Sequence, residues 1–147
     1  MIMQLDISGQ IQQKNLDSSL GFKRSDGKTG SVFLRKQVKQ KLIKEYKGQV
    51  INLIEKIHCI MIYYCIKDNL ENVKEIKICK DVNKRKISLL LPKLFRGNKT
   101  FEKIKSSFIE NEKSNGHNPA LRALRHRKYA NIIITLSMIE ELLFKFK

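Results

Sequence analysis

The chain has only three cysteines among its 147 residues, at uneven spacing, which excludes a disulfide-stabilised scaffold. It does not open with a basic stretch followed by an apolar segment, so no secretory signal is predicted. Its most apolar run, residues 57–66, is about half of the ~20 residues that a membrane-spanning helix needs. We therefore expect a cytoplasmic protein with reduced thiols that does not enter a membrane.

Acidic residues are also few. The sequence has 14 Asp and Glu against 30 Lys and Arg, which gives a formal net charge of +16. Residues 1–72 carry 12 basic and 7 acidic side chains, whereas residues 73–147 carry 18 and 7, and residues 113–139 contain no acid. This excess indicates a polyanionic partner, RNA or DNA. Ordinary solvated faces in a lysine-rich chain are the alternative.

Several motifs that would define a chemistry are missing. The glycines form neither G-x-G-x-x-G nor G-x-x-x-x-G-K-[ST], so a nucleotide cofactor is not predicted. The cysteines have no C-x-x-C spacing and lie in apolar segments, which favours buried thiols over zinc ligands. Tyr63 and Tyr64 also lie in an apolar stretch, and we interpret them as core residues rather than base-stacking platforms.

The hydrophobic pattern predicts one mixed α/β domain over residues 1–147. A strand over 1–13 and a hairpin over 15–36, turning at Asp26-Gly27, give an antiparallel N-terminal meander. Helical spacing then predicts a helix from Lys36 and a second, buried helix over 49–67. The β-branched end of that second segment could instead form a strand.

Helices and strands alternate in the rest of the chain. Ile76 and Ile78 are expected to face the core from a strand, and Asn118, followed by proline, to start a helix. Ser137 with Glu140 is expected to cap the last helix. The predicted elements are a strand over 73–82, a helix over 83–95, a strand over 101–110, a helix from 118 to about 129, a strand over 132–134 and a final helix.

This order of elements resembles the ribonuclease H-like superfamily over residues 1 to about 130. In that family, acids at strand ends bring two divalent cations together for phosphodiester chemistry. The resemblance implies Mg²⁺ or Mn²⁺ held by Asp6 in the opening strand, Glu55 on the long helix and Asp81 at the end of the fourth strand. It also implies that His117, in a loop, assists proton transfer as the family's mobile histidine does.

The sequence departs from the family pattern at one position. The last acid of the family stands on the helix after the histidine, and residues 118–128 contain no acid. Glu110 or Glu112 could replace it, so Glu110 joins the candidate catalytic residues.

Each candidate acid also has a purely structural interpretation. Asp6 could solvate a strand edge, and Asp81 could cap the helix that follows it. Glu55 could pair with Lys56 or Lys47 on a solvated helix face.

Basic residues in two places are candidate ligands for phosphate. One group follows the fourth predicted strand, where α/β sheets collect ligand sites. The other lies on the acid-free helix near the C-terminus, where the 3- and 6-residue offsets of Arg122, Arg125 and Lys128 predict one helical face, broadened by His126. The candidate set is Lys84, Arg85, Lys86, Arg122, Arg125, Arg127 and Lys128.

The sequence therefore predicts a nucleic-acid-binding protein, and a metal-dependent nuclease of ribonuclease H-like type is its most concrete form. Two other classes remain open: a non-enzymatic module that binds RNA or DNA, and a protein-interaction subunit whose basic face meets an acidic partner.

Overall fold

A computed structural model describes residues 1–79, 83–109 and 116–146. The strands in these ranges are β1 (Ile2–Ser8), β2 (Ser18–Arg24), β3 (Thr29–Leu34), β4 (Glu75–Cys79), β5 (Lys105–Ile109) and β6 (Ile132–Ile134). The helices are α1 (Lys36–Tyr46), α2 (Leu53–Ile66), α3 (Lys84–Leu94), α4 (Lys99–Glu102), α5 (His117–Arg125) and α6 (Leu136–Leu143).

The described strands form one mixed sheet in the order β5-β4-β1-β2-β3-β6. The neighbours β1–β2 and β2–β3 are antiparallel, whereas β1–β4, β4–β5 and β3–β6 are parallel. The predicted α/β class and the N-terminal antiparallel meander are therefore confirmed. The meander turns at Asp26-Gly27 as expected, because Gly27 adopts a positive φ of 90° and Asp26 Oδ1 accepts from the Lys28 amide at 3.2 Å.

Helix α2 forms the main core against one face of the sheet. Its central residues Ile57, Ile60 and Met61 are fully buried, and they pack in one apolar cluster with Leu5 of β1 and Ile78 of β4. The segment is thus a helix rather than the alternative strand, since an apolar surface on all sides suits a helix enclosed by its neighbours. No helix in the described ranges is both long and apolar enough to cross a membrane.

Helix α5 lies on the other face of the sheet. Side chains alternate along a strand, so those of Asp6 and Ser19 point away from the face that carries Leu5. Gly21, which pairs with Asp6, leaves the same face open beside them. The buried Ala120 and Ala123 bring α5 onto β1, β2 and β3. Small residues on both partners let this helix approach closely.

The strand predicted over 101–110 is wrong in its first part. Residues 99–102 form α4, because the Asn98 side chain accepts from the Phe101 amide at 3.0 Å and caps the turn. Phe101 then stacks on Phe95, with ring centroids 4.0 Å apart. The strand begins only at Lys105.

Two predicted helix starts also differ. Helix α5 begins two residues earlier than expected, with Gly116 rather than Asn118 at its N-cap, so His117 is helical rather than a loop residue. The helix ends at Arg125, before a 3-10 turn over Arg127–Tyr129. The last helix is capped by Thr135, whose Oγ1 accepts from the Met138 amide at 3.3 Å, rather than by Ser137.

A buried lysine holds the loop between β1 and β2. Lys39 of α1 is fully buried, and its ammonium donates to the carbonyls of Gln10 at 3.2 Å and Gln13 at 3.0 Å and to Ser18 Oγ at 2.8 Å. Burial lowers the pKa of Lys39 to about 8, against the opposing influence of Asp17. Three oxygen acceptors thus compensate this buried cation and fix the loop.

Candidate functional site

The carboxylate of Asp6 is enclosed on the central strand β1. Its side chain has no exposed surface, and its Oδ1 accepts from the Ile7 amide at 2.8 Å. Its Oδ2 lies 3.0 Å from His117 Nδ1, and the Cys79 thiol also hydrogen-bonds to the carboxylate. Burial raises the pKa of Asp6, and the hydrogen bonds from Cys79 and His117 act against that rise. Asp6 therefore does not solvate a strand edge.

Two glycines allow His117 to reach Asp6. A Cβ on Gly21 would lie 2.5 Å from the Ala120 nitrogen, and one on Gly116 would lie 2.7 Å from the Gly21 oxygen and 2.8 Å from the Asp6 nitrogen. No side chain fits at either position, so α5 packs against the strand backbone. The imidazole of His117 is 46% exposed and bridges Asp6 and solvent.

Glu55 has a different partner from those its structural interpretation named. Its Oε1 lies 3.3 Å from Lys86 Nζ on α3, and neither Lys56 nor Lys47 pairs with it in the described structure. The carboxylate is 19% exposed and the ammonium 42%. Helices α2 and α3 pack together, which places these residues at one junction.

The fit of a divalent cation can be judged from the donor set. Mg²⁺ requires oxygen ligands in octahedral geometry. Among the described residues, no group of three or more His, Cys, Asp or Glu side chains could hold a metal ion. Asp81 and Glu110, the other candidate acids, lie outside the described residues, as does Glu112. Since Asp6 and Glu55 are each engaged by a donor, the described residues alone do not supply a cation site.

The basic residues near the C-terminus are divided between two grooves that flank α5. Arg122 lines one groove of about 360 Å³ with Lys23 and Tyr129. Arg125 and Arg127 line the other, of about 330 Å³. Rather than one helical face, the chain presents what we call the α5 basic surface, which consists of Lys23, Arg35, Lys36, Arg122, Arg125, Arg127 and Lys128.

Sequence reasoning missed Tyr129, an exposed aromatic residue that lines the first groove of this surface. The Arg122 guanidinium carbon lies 3.9 Å from the Tyr129 ring centroid, and Lys128 Nζ lies 5.3 Å from it. The position of Tyr129 within a basic stretch of sequence that contains no acid was the signal that could have identified it. By contrast, Tyr63 and Tyr64 pack against the core as predicted.

Lys23, Arg35 and Lys36 were also missed, because they come from the meander and the start of α1. They reach the α5 basic surface only through the pairing of β2 with β3 and the packing of α5 on the sheet. Asp17 also lines the second groove, where its Oδ1 accepts from the Lys36 amide at 2.8 Å.

The first basic group lies on the opening turn of α3. Lys84 and Arg85 are exposed, whereas Lys86 is partly buried and pairs with Glu55. The cap of this helix is Asn83, whose Oδ1 accepts from the Lys86 amide at 3.2 Å.

All three cysteines are buried free thiols, as the sequence predicts. Burial raises the pKa of Cys59 and of Cys65 well above the ordinary thiol value.

Comparison of the chain with protein-family models, with curated proteins and with solved structures finds no match in any of the three. Function is therefore inferred from the described side chains.

Proposed function

We propose that this chain binds nucleic acid through the α5 basic surface. The supporting observation is the convergence of basic side chains from three parts of the chain on the two grooves beside α5. Residues 113–139 offer no acid to neutralise them, and Asp17, the acid that lines the second groove, is committed to a backbone amide.

Such a surface suits a phosphate backbone for two reasons. Arginine side chains can donate in pairs to phosphate oxygens, and each phosphate they neutralise releases condensed counterions. Tyr129, held against Arg122, offers a ring on which an unpaired base could stack. Both features serve RNA or DNA, and neither requires catalysis.

The test is the salt dependence of binding. We expect log K for a short duplex to fall linearly with log salt, and the slope to become shallower by up to about 1.8 in the Arg122→Ala/Arg125→Ala variant, because two phosphate contacts are lost. The matched control is Lys99→Ala/Lys103→Ala, which removes the same charge from exposed positions around α4.

The control should keep the original slope. If both double variants change the slope equally, general charge attracts the nucleic acid and the α5 basic surface has no special role. If neither changes it, the alternative of an acidic protein partner is favoured.

A metal-dependent nuclease of ribonuclease H-like type is the second candidate. It is favoured by the carboxylate of Asp6 on the opening strand of the meander, in contact with the imidazole of His117, at 3.0 Å. The resemblance assigns both residues to catalysis, and the helix and strand units that follow the meander agree with it. Asp6, Glu55 and Asp81 would be its metal ligands, with Glu110 and His117 as further catalytic residues.

The nuclease proposal is tested with an RNA–DNA hybrid and a branched DNA, each with Mg²⁺ or Mn²⁺. Cleavage should disappear in Asp6→Asn and persist in Asp26→Asn, which alters an exposed acid in the β2–β3 turn. Circular dichroism checks that both variants fold. Equal cleavage by the two variants, or no cleavage by the pure wild-type protein with either metal, would refute the nuclease while leaving the binding proposal intact.

A further inference from the structure

A separate cavity with polar and apolar walls lies away from the α5 basic surface. It has a volume of about 320 Å³ and is bounded by the β1–β2 loop, α2 and the start of α3. This size falls at the lower end of the range typical of small-molecule sites, about 300–1,000 Å³. Its polar lining comprises Gln10, Gln12, Glu55, His58 and Asn83.

His58 is the group in this cavity that most needs a partner. It is only 6% exposed, and it makes no hydrogen bond with any residue in the described ranges. Burial lowers the pKa of His58 to about 4, so at neutral pH its ring is uncharged and carries one donor and one acceptor. Buried polar groups are normally satisfied, so an unpartnered imidazole at a cavity wall indicates that something from outside completes it.

The charges around the cavity narrow the class of occupant. A cation is disfavoured because the Lys86 ammonium already lies 3.3 Å from the Glu55 carboxylate. An anion is disfavoured by that same carboxylate. The side-chain amides of Gln10 and Gln12 can both donate and accept, so the lining suits a neutral molecule with donors and acceptors on its edge.

The apolar walls of the cavity and the basic residues beside it suit a nucleobase as the occupant. Ile54 and Ile87 give the cavity apolar walls, which a flat aromatic ring can contact with its faces. Glu55 can only accept, so it selects an edge that carries an amino group. Lys84 and Arg85 are exposed on the first turn of α3 beside the cavity, where the phosphates next to an inserted base could bind.

We propose that this cavity binds one unstacked nucleobase bearing an exocyclic amino group, from a strand whose phosphates contact Lys84 and Arg85. The proposal rests on the proposed function, nucleic-acid binding, and adds to it a site that selects among bases. The phosphate contacts of the α5 basic surface do not select bases in this way.

The first arm of the test uses nucleosides, which carry no phosphate. Guanosine and inosine differ only in the 2-amino group. We expect guanosine to shift the imidazole NMR signals of His58 and to bind roughly tenfold more tightly than inosine, because one hydrogen bond to a carboxylate is lost. Glu55→Ala, which removes the acceptor, should abolish the difference between the two, whereas Gln49→Ala, an exposed position outside the cavity, should preserve it.

The second arm uses single strands of deoxycytidine and deoxyuridine, which carry the same phosphates. Wild-type protein should prefer the cytosine strand, and Gln12→Ala, a change at an exposed loop residue that leaves the core intact, should reduce the preference. Equal binding of both strands with a normal salt slope overturns the base site alone. If wild-type protein binds neither strand, the proposed function is overturned. The nucleoside arm then still shows whether the cavity binds a base. If no nucleoside shifts the NMR signals of His58, the proposed base site is overturned and the cavity holds solvent only.

Discussion

Replacing Gly21 with alanine tests whether the close approach of α5 places His117 on Asp6. The new Cβ would lie 2.5 Å from the Ala120 nitrogen, whereas ordinary contacts begin at 3.4 Å, so the helix must retreat by about 0.9 Å. Such a retreat would lengthen the His117–Asp6 contact of 3.0 Å by up to about 0.9 Å, which weakens or breaks the hydrogen bond.

Two effects decide the change in the free energy of unfolding. Overpacking of this kind costs about 1–3 kcal/mol, and alanine recovers about 0.5–1 kcal/mol because it restricts the unfolded chain. We therefore expect a net loss of roughly 0–2.5 kcal/mol in urea unfolding, together with a change in the NMR chemical shifts of the His117 imidazole.

The control is Gly27→Ala in the β2–β3 turn. Its φ is 90° and no atom lies within 4 Å of a Cβ there, so alanine should cost about 1 kcal/mol through backbone strain alone. Stability should not rise in either variant, while the chemical shifts of the His117 imidazole should change only in Gly21→Ala. A gain in stability on Gly21→Ala, as at a site with room for a methyl group, would contradict the proposed packing.

Four further outcomes follow from ionisable groups. Because burial raises the pKa of Asp6, its contribution to stability is present at low pH and is lost as the pH rises above the ordinary aspartate value of 3.8. The stability of Asp6→Asn relative to the wild type should therefore increase with pH in urea titrations. Asp26→Asn alters a carboxyl whose pKa is lowered by the hydrogen bond from the Arg24 guanidinium, so the stability of this variant relative to the wild type should fall as the pH rises towards the ordinary aspartate value of 3.8. Lys39 has a folded pKa of about 8 against 10.5 unfolded, so wild-type stability relative to Lys39→Met should rise across that interval, and a flat difference would contradict burial of the ammonium. Cys59 and Cys65 should resist iodoacetamide in the native protein and react only on unfolding, as mass spectrometry can check.

Local signals account for the part of the fold that could be predicted. The Asp26-Gly27 dipeptide predicted the hairpin turn, and the alternation around Ile76 and Ile78 predicted a buried strand. Both predictions succeeded because these structures depend on residues that are neighbours in the sequence. The caps of two helices were not predicted correctly. Thr135 rather than Ser137 caps α6, and the Asn98 cap turned predicted strand into helix.

The candidate site was harder to predict because its contacts join distant residues. Asp6 was predicted as a candidate metal ligand, but its hydrogen-bond partner His117 lies 111 positions away and was assigned to a loop. The structural interpretation of Glu55 named Lys56 or Lys47 as its partner, whereas the packing of α2 and α3 brings Lys86 to it. No pattern in either segment encodes these distances.

The pairing of β3 with β6 has a consequence for synthesis. Val32, Phe33 and Leu34 pair with Ile132–Ile134, roughly 100 residues further along the chain. At about 5–20 residues per second, the outer edge of β3 stays open on the ribosome for roughly 5–20 s. An open apolar strand edge can recruit another chain. The short strand β6 therefore covers the edge of β3 only late in synthesis. If translation is slow before residues 132–134 are added, nascent chains keep this edge exposed for longer and are more prone to aggregate.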